Sequence, residues 1–227
     1  MIWVNNETGV ISPLKKIIAI AKMNKITVHV DGTQAIGKID VNFMNLGVDL
    51  LSFSAHKFYG PKGIGVLIRN KEVKIESQIV GGGHQKNLRS GTLNIPGIVG
   101  LGKAIEVSTE NIENEQIRMN EISNYFRREL LNQFPFCRIN ALNVSRVPHI
   151  QNVCFTGYDG QELLNRFSNL AISNGSACNS ASTFPSHVLK AMGLSDADAF
   201  SSLRFSFGKF TISDEIAKCL EHIKIKF

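Results

Sequence analysis

The sequence predicts an α/β protein: a mostly parallel sheet with flanking helices, followed by a smaller α+β region. Strand, helix, strand order through roughly the first 70 residues carries the first half of that reading. A change to short strands and short helices from about residue 140 carries the second. A third observation concerns chemistry. Asp31, Ser54, His56 and Lys57 fall at or just after predicted strand ends, where parallel sheets gather their ligands.

The elements follow in order. "MIWVNNETG" opens on an apolar run that reads as a core strand over residues 1–4, with nothing before it to cover that strand. Ser12-Pro13 reads as a helix cap with proline at the first helical position. Leu14, Ile17, Ile18 and Ala21 then repeat at helical spacing. In "ITVHVDGTQ" a β-branched run over 26–30 ends at Asp31-Gly32. "VDLLSFSAHK" gives a buried strand at about 48–53, and "GPKGIGVLI" is a glycine turn feeding another. "GGGHQKNLRSGT", 81–92, is a glycine-rich loop. Residues 97–134 read as mostly helical, with Ile122, Phe126 and Leu130 as a packing stripe. "HIQNVCF" and "SLRFSF" are short strands, and 160–168, 185–192 and 212–223 are short helices. The change of character from about residue 140 marks a second, α+β domain.

Composition excludes several classes. With 43% hydrophobic and 19% charged residues in 227, the chain reads as soluble and globular. The net charge of +6 is scattered in "LKKI", "FRREL" and "IKIKF", with no basic run interleaved with aromatics. That argues against a nucleic-acid partner. No secretory signal and no bilayer-spanning apolar run are read in the chain. Cys137, Cys154, Cys178 and Cys219 show no CxxC spacing, so reduced thiols in a cytoplasmic protein are expected.

Lys57, at a strand end before a glycine-rich turn, has the placement of a lysine that bonds covalently to a carbonyl cofactor. Lys62 lies in the same turn, and spacing alone does not choose between them. His29 and Asp31 share a strand face. They read either as a metal pair, for which no third ligand is well spaced, or as a carboxylate beneath a heterocyclic nitrogen, or as a simple turn cap. "GPKGIG" matches neither common nucleotide-binding glycine pattern. "SNGSACNSAS", 173–182, sets Cys178 among small polar residues that pack poorly and permit movement.

Taken in order, "VNNETGV", "HVDGTQAIGK", "SFSAHKFYGPKGIG", "GGGHQKNLRSGT", "NGSACNSAS" and "SSLRFSFG" resemble the cysteine desulfurases of the NifS/IscS type. These are class V aminotransferase relatives with the fold-type I pyridoxal phosphate scaffold. The resemblance implies that 1–110 is the C-terminal part of a large cofactor-binding domain, and that 111–227 is a small domain carrying the cysteine loop. It implies pyridoxal 5'-phosphate as cofactor. Lys57 would hold it covalently, and Asp31 would keep its ring nitrogen protonated. Asn6 and Gln34 would bond the phenolic oxygen. Ser54 and His56 would bind the phosphate, and Thr92 would reach the phosphate of a partner subunit, hence a homodimer. Arg204 would clamp the carboxylate of the L-cysteine substrate. Cys178 would take the substrate sulfur, leaving L-alanine and an enzyme persulfide bound for a sulfur-acceptor or iron–sulfur scaffold protein.

Family members carry a further segment before "NNETG", with more strands, a glycine–threonine phosphate loop and a ring-stacking histidine. His29, His84 and His187 do not stand at that position. A truncated large domain is therefore expected. So are two other readings: a non-catalytic remnant or half of a split enzyme, and a selenocysteine lyase or related class V activity.

Overall fold

The computed structural model describes residues 1–175 and 184–227. Contacts divide the chain into two compact units, one formed by Met1–Trp3 with Ser12–Ile112 and the other by Val4–Ile11 with Glu113–Phe227.

The first unit opens with helix α1 (Leu14–Met23), which buries Leu14, Ile18 and Ala21 on one stripe. Ser12 does not cap it. Its hydroxyl donates to the Ile2 carbonyl at 3.0 Å, and Pro13 occupies the cap position. Strand β1 (His29–Asp31) is followed by a short helix α2 (Phe43–Leu46) capped by the Asn42 side chain. Strand β2 (Leu50–Ser54) pairs parallel with β1 and ends in a 3₁₀ turn, Ala55–Phe58. Strand β3 (Gly65–Arg69) pairs antiparallel with β2, giving the order β1-β2-β3.

The predicted strand at 1–4 is divided. Ile2 makes an isolated parallel bridge to Asp31, with Trp3 N donating to Asp31 O at 2.9 Å. Val4 instead bridges antiparallel to Ile11, within the other unit. Alternation within a short apolar run does not report which sheet each residue joins. Beyond β3, α3 (His84–Asn87) is a turn with Gln85 and Lys86 at φ 49° and 56°. Helix α4 (Ile95–Thr109) begins at Asn94, whose Oδ1 accepts from Gly97 N at 3.1 Å.

The second unit contains helix α5 (Ile112–Gln133), which buries Met119, Ile122, Phe126 and Leu130. Strands β4 (Cys137–Ile139), β5 (Ile150–Phe155) and β6 (Ser202–Ser206) form an antiparallel sheet in the order β4-β5-β6. All of β5 is buried, so both faces of the sheet are covered at its centre. The Phe126 ring lies 5.1 Å from that of Phe205 and 5.2 Å from that of Phe207. Burying each such side chain is worth about 1.5–3 kcal/mol. Helices α6 (Gly160–Arg166), α7 (His187–Ala191), α8 (Asp196–Phe200) and α9 (Ser213–Lys226) complete the unit. Strand β4 and helix α8 are too short for their periodicity to show in the sequence. Among the described residues, no helix is long and apolar enough to cross a membrane.

Candidate active site

In the first unit, β1 and β2 run parallel in the register Asp31↔Ser52, so β2 ends two residues beyond the end of β1. Asp31 closes β1. Its Oδ1 accepts from Thr33 N at 2.8 Å, and Gly32 N donates to Ser52 O at 2.8 Å. These bonds fold the chain directly into the turn that carries Gln34. His29, on the same face of β1, pairs through Nε2 with Ser52 Oγ at 2.9 Å. Among the described residues, no group of three metal-ligating side chains occurs.

At the end of β2, Ser54 Oγ lies 2.8 Å from His56 Nδ1. The 3₁₀ turn that follows is fixed by its apolar members. Ala55 is fully buried and Phe58 nearly so, with the Phe58 ring 5.9 Å from that of Phe53. With Ala55 and Phe58 turned inward, the alternate positions His56 and Lys57 are exposed. A primary amine thus stands on a rigid support beside a hydroxyl–imidazole pair, at the same sheet end as a carboxylate. Lys62 is exposed too, but it sits in the turn before β3. Thr92 is exposed at the end of the glycine-rich loop.

In the second unit, "NNETG" forms a tight turn. Asn5 Oδ1 accepts from Glu7 N, Thr8 N and Thr8 Oγ1 at 2.9, 2.9 and 3.0 Å. The turn presents the Asn6 carbonyl to Arg204, whose Nη1 donates to it at 2.9 Å. Arg204 lies on β6 opposite Asn152 and also bridges to Ser173. Among the described residues its Nε is buried without a hydrogen-bond partner, and burial lowers the guanidinium pKa while the Glu7 carboxylate raises it. Cys178 lies outside the described residues.

Two participants escape a reading of the sequence. Glu7 is buried, and its Oε2 accepts from Ser186 Oγ at 2.6 Å. Lys38 donates to Gln34 Oε1 at 3.0 Å. The i, i+4 spacing of Gln34 and Lys38 is the signal in the sequence for the latter pair.

The aminotransferase class-V family model matches residues 1–219. The chain belongs to that family. A cysteine desulfurase IscS from Pseudomonas fluorescens SBW25 is 44% identical over 218 residues, covering 95% of this chain and 54% of the relative. A cysteine desulfurase IscS from Buchnera aphidicola subsp. Baizongia pistaciae is 46% identical over 215 residues, covering 94% and 53%. The chain therefore spans about half the length of the curated relatives it matches. Among solved structures, a NifS-like protein from Rickettsia africae aligns with a TM-score of 0.91 at 31% identity, over 99% of this chain and 60% of that one. Another NifS-like protein aligns at 0.88 and 36% identity, over 99% and 59%. This class-V chain has the α/β fold-type I architecture of those neighbours, as the sequence predicted.

Proposed function

We propose that the chain carries much of the catalytic apparatus of a pyridoxal phosphate-dependent cysteine desulfurase, which turns L-cysteine into L-alanine and passes the sulfur on as a protein persulfide. The observation that carries this reading is Lys57, exposed on its clamped turn beside the Ser54–His56 pair, at the sheet end that Asp31 shares. The donor set suits the cofactor. An amine can bond a carbonyl, a carboxylate can hold a protonated ring nitrogen, and a hydroxyl with an imidazole can bind phosphate. When bound, pyridoxal phosphate supplies an electron sink for the substrate carbon.

The residues divide that work. Lys57 anchors the cofactor, and Asp31 holds the ring nitrogen protonated. Gln34 and Asn6 bond the phenolic oxygen, and Ser54 and His56 bind the phosphate. Thr92 serves the phosphate of a second subunit, which makes the working protein a homodimer. Arg204 binds the substrate carboxylate and so satisfies its own buried Nε. Cys178 takes the sulfur and delivers it to an acceptor or iron–sulfur scaffold protein. We place this work in the cytoplasm, a reading that the free thiols of Cys137, Cys154 and Cys219 support.

The test is direct. The purified chain, with and without the preceding segment of a full-length relative, is mixed with pyridoxal phosphate, reduced with borohydride and mapped by mass spectrometry. Label on Lys57, with alanine formed from cysteine, is the expected result. Label on Lys62 or on neither lysine would sink the assignment.

A further inference from the structure

Lys38 has a place in the first unit that the sheet-end residues do not explain. It closes the turn that starts at Gly32, with Lys38 N donating to Ala35 O at 3.0 Å. Gly37 brings this turn against the 3₁₀ turn of Lys57. At φ +71°, a Cβ on it would stand 3.2 Å from Phe58 Cβ. The approach lets the Lys38 ammonium reach two acceptors, Gln34 Oε1 at 3.0 Å and the Lys57 carbonyl at 3.4 Å.

The chemistry of the first contact fixes an orientation. An ammonium only donates, so the Gln34 atom facing it is the oxygen. The amide nitrogen then points away, with both hydrogens available to an acceptor. An amide that could otherwise flip is held in one state. The arrangement is costly to the lysine. Desolvation, with the Lys57 charge adding to it, lowers its pKa to about 8. Costs of this kind concentrate at working sites.

We propose that Lys38 is a positioning residue that locks Gln34 as a hydrogen-bond donor toward an anionic oxygen of the bound cofactor and ties that amide to the Lys57 backbone. The inference rests on the cofactor reading above. A phenolate oxygen needs a donor, and Gln34 with its amide reversed would present a carbonyl there instead.

Three variants test it: Lys38→Met, Lys38→Arg and Gln34→Glu. In the cofactor-free chain, the Gln34 side-chain amide resonances are identified by their loss in Gln34→Glu. They should move in Lys38→Met and return toward their place in Lys38→Arg. With pyridoxal phosphate added, Lys38→Met should weaken binding about tenfold, the worth of one charge-assisted hydrogen bond. Its bound visible absorption should also shift, and Lys38→Arg should recover most of both effects. Gln34→Glu keeps the lysine contact and lacks the donor, so it should weaken binding at least as much. This arm stands even if Lys38→Met fails to fold. Unmoved Gln34 resonances with unchanged affinity in Lys38→Met overturn the positioning role, as does full affinity in Gln34→Glu. A parent chain that takes up no pyridoxal phosphate overturns the site reading itself, and the role of Lys38 with it.

Discussion

Replacing Gly160 by alanine should destabilise the chain, against the usual sign. Gly160 is the first residue of α6, just after the Asp159 cap that accepts from Gln161 N and Glu162 N at 2.9 Å. Gly→Ala in a helix ordinarily stabilises by about 0.4–1 kcal/mol, because the unfolded chain loses freedom. Here a Cβ would stand 1.9 Å from the Phe200 carbonyl oxygen and 2.7 Å from its carbon, where ordinary contact starts at 3.4 Å. The obstacle is backbone, at the last residue of α8, and cannot rotate away. Overpacking of this kind costs about 1–3 kcal/mol, and a backbone clash belongs at the upper end. Urea unfolding followed by circular dichroism should therefore show a midpoint about 1 M lower. Gly102→Ala is the control. It lies inside α4 with nothing among the described residues within 4 Å of its Cβ, so it should be neutral or slightly stabilising. A Gly160→Ala chain as stable as the parent would refute the close approach of α6 to the end of α8.

Other outcomes follow from the same geometry. Lys57→Ala should abolish borohydride-fixable cofactor while leaving the unfolding midpoint nearly unchanged, because the side chain is exposed; loss of the midpoint would point to a structural role. Burial pushes the Cys137 and Cys219 thiols up, to about 12 and about 11, so neither should be alkylated at neutral pH before the chain unfolds. In a competent assembly, Cys178→Ser should keep cofactor binding and lose sulfide release; parental sulfide release would remove Cys178 from the chemistry. Glu115 pairs with Arg118 through two contacts of 2.8 Å, and this holds its carboxyl below the usual value. The stability it adds is present above the unfolded carboxyl pKa and is lost as pH falls through the lower folded value. Glu115→Gln should thus cost about 1 kcal/mol near pH 7, discounted for its partial exposure, with the difference vanishing in acid.

Residues placed by local pattern were legible. The apolar run before Ser54 becomes a strand, and of the β-branched run before Asp31 only the end does, as His29–Asp31. The stripe through Ile122, Phe126 and Leu130 is the buried face of α5. What stayed hidden depends on partners distant in the chain. Asn140 Nδ2 donates to Ser202 Oγ at 3.0 Å, and Asn152 opposes Arg204, yet nothing local marks these amides as interior. Glu7 is another case, since its burial depends on Ser186. Lys38 reads as an ordinary surface lysine until Gly37 draws its turn onto Phe58.

The stitch at Val4–Ile11 has a consequence for how the chain comes apart. This segment is bonded into the second unit by Val147 N to Gly9 O and Ile11 N to Ser145 O, both at 2.9 Å, and by Asn152 Nδ2 to Glu7 O at 3.3 Å. A protease cutting after Ile112 would sever the peptide and still leave a fragment pair. The shorter N-terminal piece would remain threaded into its neighbour as a buried peptide, with Val4 fully enclosed. Excising residues 113–227 as a free-standing product would omit that peptide and expose the surface it covers. The second unit thus matures only when contacts of long sequence separation close, which places it among the slower-folding topologies. Two genes divided at that point would have to meet before the second unit was complete.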